Sequence, residues 1–217
     1  MAEYDGLLLD HDGVIVTLVD ESALYEAARR AFLDSGVDPK EADVETLSIR
    51  VSPSELSDVA ETYDLDPDQL WKHRDDRIET TLRAETTAGR KHPYGDVDAL
   101  GAVSVPIGVV SNNQTRIVEF VLDQYGLADR FGTIRAREPT VESLHRKKPN
   151  PEFLEAAMAD LGVSNPLYVG DSESDVVAGK RAGLDVAFLR RDHNARVDLG
   201  VEPTYDVRSL TTVVELL

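Results

Sequence analysis

Two aspartates, Asp10 and Asp12, stand at the end of an apolar run in the segment LLLDHDGVIV. Alternate side chains of a strand point to the same side, so the two carboxylates would leave the strand end together, roughly 6.7 Å apart. Their repulsion at that separation is about 2.5 kcal/mol at an effective dielectric of 20. A divalent cation, or a proton on one carboxylate, would relieve it. The pair therefore indicates a metal site or acid–base chemistry.

Other interpretations of this segment stay open. The dipeptide Asp12-Gly13 between apolar residues is also typical of a hairpin turn. A calcium-binding loop begins with two acids at the same spacing, but Val14 and Ile15 occupy the places where that loop needs a ligand and a glycine. The segment alone is compatible with a site and with a hairpin.

Ser111 ends the buried run VPIGVVS and precedes a predicted helix. A serine at this place is a good helix N-cap. Its hydroxyl, the neighbouring Asn112 and the free backbone N–H groups of a helix start could also bind an anion. Both interpretations fit the residues.

Lys147 and Lys148 stand just before another predicted helix, in HRKKPNPEFL. Positive charge is disfavoured near the amino end of a helix. The two lysines either form a solvated basic loop or lie beside a phosphate or an acidic cluster.

Asp171 ends the apolar run PLYVGD, where Gly170 allows a tight turn, and Asp175 follows one helical turn later. Asp171 could serve as a helix cap. A second acid four residues later on the same helix face makes another carboxylate pair, which a cap does not require.

The pattern of the surrounding chain predicts how these residues are positioned. Helical patterns fill residues 17–89 without a convincing strand, and short β-rich runs alternate with helices from Tyr94 onward. Such alternation is typical of βαβ units on a parallel sheet. We expect a Rossmann-like α/β core from residues 1–16 and 90–217, with helices on both faces, and a small all-helical cap domain inserted over residues 17–89. Ligands of such sheets bind at the carboxyl ends of the strands, below the cap.

The order of these motifs resembles the haloacid dehalogenase-like hydrolase superfamily, in particular its phosphatases with a helical cap, such as phosphoglycolate phosphatase. The resemblance covers nearly the whole chain. His11 is less usual at its position, and the paired lysines leave two alignments for the motif lysine. The matching segments are DHDGV (residues 10–14), Ser111, Lys148-Pro149 and GDSESD (residues 170–175).

The resemblance implies a mechanism through an aspartyl-phosphate. Asp10 would be the nucleophile. Asp12 would protonate the leaving oxygen and then activate the water that releases phosphate. Mg²⁺ would be the cofactor, held by Asp10, the backbone carbonyl of Asp12 and Asp171.

The same resemblance assigns the phosphate-binding residues. Ser111, the backbone of Asn112 and Lys148 would bind the transferring phosphoryl oxygens. Asp175 would orient Lys148 or a metal-bound water.

The implied function is hydrolysis of a small phosphorylated metabolite. The second acid, Asp12, favours phosphate esters over halides, because halide leaves without a proton. Two alternatives remain: a β-phosphoglucomutase-like phosphotransferase, and a phosphorylated receiver module, which uses similar residues in a different order. Trp71 is expected to pack in the cap. The basic residues that could face a second anionic group of the substrate, or merely form a solvated helix face, are Arg50, Lys72, His73, Arg74 and Arg77.

The charge of the chain limits its partners. The 217 residues include 41 acids and 23 bases, a net charge of −18, which opposes binding to nucleic acid or to anionic membranes. Cysteine is absent, the amino terminus MAEYDG lacks the basic residues of a signal peptide, and LGAVSVPIGVV is too short to span a bilayer. We expect a cytoplasmic protein, with an acidic surface that is either ordinary or adapted to a salt-rich cytoplasm.

Overall fold

The computed structural model describes residues 4–217. Residues 1–3, which belong to the predicted core segment 1–16 and to the acidic amino terminus, lie outside the described residues. The described chain contains a six-stranded sheet of order β3-β2-β1-β4-β5-β6, and every neighbouring pair of strands is parallel. The strands are β1 (Gly6–Leu9), β2 (Ile107–Gln114), β3 (Thr133–Arg137), β4 (Pro166–Gly170), β5 (Val186–Leu189) and β6 (Tyr205–Val207).

Helices connect these strands. Short 3₁₀ helices occupy Val97–Ala102, Ala128–Arg130 and Asp192–Asn194. In the described residues, no helix is long and apolar enough to cross a membrane. The α-helices are α1 (Glu21–Asp34), α2 (Glu41–Ser48), α3 (Pro53–Thr62), α4 (Pro67–Thr87), α5 (Thr115–Gln124), α6 (Ser143–Arg146), α7 (Glu152–Leu161), α8 (Glu173–Arg181) and α9 (Leu210–Leu216).

The period of two in the central strand β1 divides the hydrophobic core into two layers. Leu7 and Leu9 pack with residues of α5 and α9 on one face, and Leu8 packs with residues of α7 and α8 on the other. All three leucines are fully buried, as expected for a parallel strand covered on both faces. The predicted Rossmann-like parallel sheet with helices on both faces is confirmed.

Helices α1 to α4 fill the segment where the sequence predicts helices and lacks strand patterns. Two of them start as the Ser-Pro and Asp-Pro pairs predict, because Ser52 and Asp66 each accept a backbone N–H as the N-cap, with proline in the first turn. These helices form a hydrophobic cluster that includes Phe32 and Trp71 and is joined by Leu144 of α6. Other residues of α4, such as Ile78, join the cluster on the sheet instead, so the helical segment packs directly on the sheet.

Strand β2 continues three residues beyond the predicted run and changes the place of Ser111. A shift of register between Val110 and Gln114 lets Gln114 pair with Arg137 of β3, and α5 begins only at Thr115. The N-cap of α5 is therefore Gln114, and the interpretation of Ser111 as a helix cap is wrong. Strand β6 and the helices α6 and α9 were not predicted, since elements this short span too few residues to show a period.

The strand order brings the candidate residues to one edge of the sheet. Strand β1 lies between β2 and β4, where the winding of the chain reverses direction, and ligands of open α/β sheets bind at the carboxyl ends of strands around such a point. Asp10 follows β1, Ser111 lies in the last half of β2, and Asp171 follows β4.

Candidate active site

Asp10 is held in place at the end of β1. Its backbone N–H donates to the carbonyl of Val169 at 2.9 Å, which continues the pairing of β1 with β4. Its carboxylate oxygen Oδ1 accepts the backbone N–H of His11 at 2.7 Å and lies 2.9 Å from Nζ of Lys148. Asp10 is 9% exposed. One oxygen of a nearly buried carboxylate is thus fixed by a cation and by a backbone donor.

Lys148 links Asp10 to a second carboxylate. Its Nζ lies 2.7 Å from Oδ1 of Asp175 and donates to the hydroxyl of Tyr168 at 3.0 Å. The other oxygen of Asp175 accepts the backbone N–H of Ser172 at 3.0 Å, which forms the capping box at the start of α8. Ser172, not Asp171, is the N-cap of α8. Lys148 and Asp175 are almost entirely buried.

Three carboxylates converge here, and we call Asp10, Asp171 and Asp175 the acidic cluster. Each can offer an oxygen atom within 4.8 Å of the other two. Asp171 also lies against His193, with 2.6 Å between Oδ2 and Nε2. The cluster contains the two predicted ligands Asp10 and Asp171 and adds the side chain of Asp175, and the backbone carbonyl of Asp12 stays a predicted ligand. The cluster consists of oxygen donors only, as Mg²⁺ prefers.

The electrostatics of the acidic cluster follow from burial and from a shortage of cations. Burial raises the pKa of Asp10 well above its usual range, and the neighbouring Asp175 and Asp171 raise it further, against the lowering effect of Lys148. Burial likewise raises the pKa of Asp171. Burial would also raise the pKa of Asp175, but Lys148 and the donated hydrogen bonds outweigh it and hold that pKa below its usual value. Lys148 contacts two of the three carboxylates, and the half-buried Asp171 contacts His193 instead.

Two glycines make the close approach of these acids possible. Gly13 has a φ of +78°, and a Cβ atom there would lie 2.0 Å from Oδ2 of Asp171. A Cβ atom on Gly170 would lie 2.2 Å from Cβ of Asp175. A side chain at either position would displace a carboxylate of the acidic cluster.

Asp12 is held away from Lys148 by a different set of partners. Its Oδ1 forms an ion pair with Lys91, and its Oδ2 accepts the side-chain amide of Asn113 at 2.9 Å. Burial would raise the pKa of Asp12, but Lys91 and His11 outweigh it and hold that pKa well below its usual range. No second strand of a hairpin follows Asp12, because the next strand of the described chain is β2. Its contacts with Lys91 and Asn113 and its lowered pKa make Asp12 a fixed, ionised carboxylate.

Ser111 and Asn112 directly follow Val110, whose backbone carbonyl accepts Nζ of Lys148 at 2.9 Å. Ser111 is buried, and its hydroxyl accepts the backbone N–H of Asn113 at 3.1 Å. The side chain of Asn112 accepts the backbone N–H of Lys148 at 2.7 Å and donates to the carbonyl of the same residue at 3.0 Å. Asn112 thus positions the lysine segment through its side chain, a role that the sequence analysis did not predict.

The structure separates the two lysines that the motif left ambiguous. Lys148 points into the acidic cluster, whereas Nζ of Lys147 donates to the backbone carbonyl of Val51, in the loop between α2 and α3. Only Lys148 contacts Asp10.

A cavity of about 300 Å³ lies between the helical segment and this edge of the sheet. Its polar lining on the sheet side includes Asp12, Lys91, Asn112 and Asn113, and leucines and Ile78 form an apolar wall.

Of the five basic residues considered for a second anionic group, two line this cavity: Arg50 and Arg74. The other three are used within the helical segment. Lys72 pairs with Asp76, His73 contacts the hydroxyl of Ser35, and Arg77 pairs with Asp34. Trp71 packs in the cluster of the helical segment, as expected, and also lines the cavity.

Several residues that contact the candidate site residues were not predicted from the sequence. Lys91 and Asp12 are 79 positions apart, so no local pattern connects them. The feature of the sequence that could have indicated Lys91 is its place in the segment that leads from the helices back to the sheet. Tyr168 looks like an ordinary core residue in a strand, but its hydroxyl donates to Asp175 at 2.7 Å.

Comparison with known proteins agrees with this geometry. A family model described as haloacid dehalogenase-like hydrolase matches residues 7–189. Phosphoglycolate phosphatase of Vibrio vulnificus is 26% identical over 229 residues, which cover 99% of this chain and 93% of that protein. Phosphoglycolate phosphatase of Neisseria meningitidis is 34% identical over 122 residues, which cover 49% of this chain and 50% of that protein. The chain thus spans about half the length of this curated relative.

A solved structure shows the same fold over its full length. The crystal structure of a predicted phosphoglycolate phosphatase from Haemophilus somnus has a TM-score of 0.71 and 19% sequence identity, and the match covers 100% of this chain and 99% of that one.

Proposed function

This chain belongs to the haloacid dehalogenase-like hydrolase family, and on that premise we propose that it is a Mg²⁺-dependent phosphatase that hydrolyses a small phosphorylated metabolite through an aspartyl-phosphate. The observation that carries the proposal is the buried Asp10 carboxylate, with one oxygen fixed by Lys148 and by the backbone of His11. Relatives that are named phosphoglycolate phosphatase support the same class of reaction.

Asp10 is the proposed nucleophile. Its Oδ1 carries both fixed contacts, and in the described residues its Oδ2 accepts no hydrogen bond, so Oδ2 is the oxygen that would attack phosphorus. The bond from phosphorus to the leaving oxygen breaks as the bond to Oδ2 forms. Lys148, beside Oδ1, would help to neutralise the transferring group, and the Ser111 hydroxyl and the Asn112 backbone would bind its oxygens.

The acidic cluster fits Mg²⁺. Asp10 and Asp175 share Lys148, and the half-buried Asp171 contacts His193. Burial, together with the neighbouring carboxylates, raises the pKa of Asp10 and of Asp171, and a bound cation would favour their ionised forms. Both oxygens of Asp175 already accept hydrogen bonds, so Asp10 and Asp171 are the more available ligands, with Asp175 holding Lys148. Bound there, Mg²⁺ would supply positive charge to the nucleophile and to the phosphoryl oxygens.

The ionised state of Asp12 fits best with the second half of the reaction, the hydrolysis of the aspartyl-phosphate. A carboxylate held ionised by Lys91 can take a proton from the water that attacks the aspartyl-phosphate. To protonate the leaving oxygen in the first half, Asp12 must first acquire a proton against the effect of Lys91. The side chain must therefore change its contacts within the cycle.

The proposal is tested with an aryl phosphate and a panel of phosphorylated metabolites. Release of inorganic phosphate should require Mg²⁺, stop when a chelator removes it and return when it is restored. Asp10→Asn should lower turnover by roughly four orders of magnitude or more, because the amide keeps the shape but is no nucleophile. A thermal melt of the variant is the control for folding.

Near wild-type turnover of Asp10→Asn would refute the covalent mechanism. Transfer of the phosphoryl group to a second sugar position, without release of phosphate, would identify the mutase alternative instead. Autophosphorylation without turnover would identify the receiver alternative.

A further inference from the structure

A second charged cluster lies on the wall of the cavity, opposite in sign to the acidic cluster. It consists of Arg74 from α4, Arg137 at the end of β3, and Lys147, and we call these three residues the basic cluster. Arg74 and Arg137 are 8% and 3% exposed. The helical segment and the sheet both contribute to it.

One carboxylate, that of Asp75, forms ion pairs with the two arginines of this cluster. Asp75 is fully buried, binds Arg137 through both oxygens at 2.7 and 2.9 Å, and lies 3.0 Å from Arg74. Lys147 donates only to the backbone carbonyl of Val51, and no carboxylate of the described residues lies within ion-pair distance of it. Arg74 also donates to the backbone carbonyls of Leu47 and Ser48, and Glu55 acts on Lys147 from beyond ion-pair distance. The cation of the cluster without an ion-pair partner is therefore Lys147, which is half-buried in a protein whose net charge is −18. A partly buried charge without such a partner is costly, so a bound anion would stabilise it.

Trp71 provides a second, independent observation. The guanidinium groups of Arg74 and Arg137 lie 4.8 and 4.9 Å from the centre of its indole ring. The indole is 2% exposed, and its N–H has no hydrogen-bond partner in the described residues. A buried donor without an acceptor costs free energy, and here it stands next to the cations.

The pKa of Lys147 is consistent with a site for an anion. Burial and the repulsion from Arg137 and Arg74 lower its pKa to about 8. An anion bound among the three cations would reverse the repulsion and keep the lysine charged.

We propose that the basic cluster binds a second anionic group of the substrate, so that the preferred substrates are small phosphate esters that end in a carboxylate or a second phosphate. The inference rests on the proposed function, because the same cavity is also lined by Asp12 and Asn112 at the sheet edge. One molecule of modest size would reach both ends of a cavity of about 300 Å³.

Three esters that differ only in their tails test the proposal: one with a carboxylate, one with a second phosphate and one with a neutral carboxamide. At fixed ionic strength and fixed Mg²⁺, kcat/KM should be at least about tenfold higher for one of the anionic tails than for the carboxamide, as charge-assisted hydrogen bonds predict. The better anionic tail identifies the group. Equal kcat/KM for all three would overturn the proposal.

Two lysine variants test whether the preference for an anionic tail arises from the basic cluster. Lys147→Met should lower the ratio of anionic to neutral kcat/KM by about tenfold. Lys147 is the member to change, because Arg74 and Arg137 also neutralise the buried Asp75. Lys72→Met removes the same charge from the exposed surface and should keep the ratio. Equal ratios in the two variants would overturn the assignment to the basic cluster.

The two proposals fail in different ways. Hydrolysis of the aryl phosphate with no preference among tails would overturn the second anion site alone. If no ester is hydrolysed, the proposed function fails, and calorimetry with the same three ligands then tests the cluster by itself. An affinity at least about tenfold higher for an anionic tail would support it, and equal affinities would overturn it.

Discussion

The acidic and basic clusters have a similar arrangement of charges with opposite signs. In each, two buried charges share one counter-charge: Asp10 and Asp175 share Lys148, and Arg74 and Arg137 share Asp75. The third member of each cluster, Asp171 beside His193 or Lys147 beside Val51, lies outside that ion pair. Like charges in a low-dielectric interior repel strongly, so neither arrangement is explained by stability alone. The charge of each cluster is the reason for the two proposed ligands, a cation at the first and an anion at the second.

The two clusters differ in how the chain assembles them. The acids follow directly after strands or start the helix after β4, so a sheet edge alone brings them together. The bases come from helix α4, from the end of β3 and from the loop between α6 and α7. The acidic cluster is therefore a property of the sheet, and the basic cluster depends on how the helices pack on it.

Asp12 lines the same cavity as the three bases of the basic cluster, and of the changes that test this comparison its replacement should have the largest effect. Asp12→Ala should lower kcat for esters with poor leaving groups by roughly 10²- to 10⁴-fold, because proton transfer is lost. Esters with good leaving groups need no proton and should lose less in the first step. The measurement is turnover across a leaving-group series, with the trapped aspartyl-phosphate as a second readout. Equal losses across the series, without accumulation of the aspartyl-phosphate, would exclude the proton-transfer role.

Replacing Lys147 and Lys148 one at a time distinguishes the contribution of the basic cluster to turnover from that of the acidic cluster. Lys148→Ala should lower turnover of an aryl phosphate by roughly 10²-fold or more, because the charge beside the transferring group is lost. Lys147→Ala should lower it by less than about tenfold, since the aryl phosphate has no second anionic group. Steady-state kinetics at saturating Mg²⁺ decide the question. The reverse ranking would show that the motif lysine is Lys147.

Changing the pH should weaken the basic cluster selectively. Because the pKa of Lys147 is lowered to about 8, the free protein carries this charge below that pH and loses it above. The ratio of kcat/KM for the carboxylate-tailed and carboxamide-tailed esters should therefore fall roughly fivefold or more from pH 7 to pH 9. The neutral ester corrects for titration at the phosphoryl end. A ratio that falls equally in Lys147→Met would contradict this explanation.

Salt should act on the surface more than on either buried cluster, and its effect should be the smallest. From about 0.1 M to 1 M salt the Debye length falls from about 10 Å to about 3 Å, so exposed acids cease to repel one another. If the acidic surface is an adaptation to a salt-rich cytoplasm, activity and Tm should both rise from about 0.1 M to 2 M KCl. Each kcal/mol of relieved repulsion should raise Tm by about 2–4 °C.

The salt experiment needs two controls. Mg²⁺ is kept at a constant excess, because it stabilises through its own site. The substrate is an aryl phosphate without a second anionic group, so that chloride cannot compete at the basic cluster. Flat activity and a flat Tm would remove the adaptation to salt and leave the phosphatase proposal intact.

The sequence by itself determined the sheet and its carboxyl edge. Short apolar runs separated by helical patterns predict parallel strands, and residues directly after those runs, such as Asp10 and Asp171, must lie at one edge. These statements depend only on local periods of two and 3.6 residues. The start of α5 was wrong because a shift of strand register is set by the neighbouring strand, and local sequence does not report it.

Only the tertiary structure decided which charges meet. Sequence cannot choose between Lys147 and Lys148, because the choice depends on the direction in which the loop backbone presents each side chain. The pairing of Lys91 with Asp12 and the gathering of the basic cluster join positions far apart in the chain. Such contacts arise when helices pack on a sheet, and the burial that then surrounds each charge sets its pKa and the ligand it can bind.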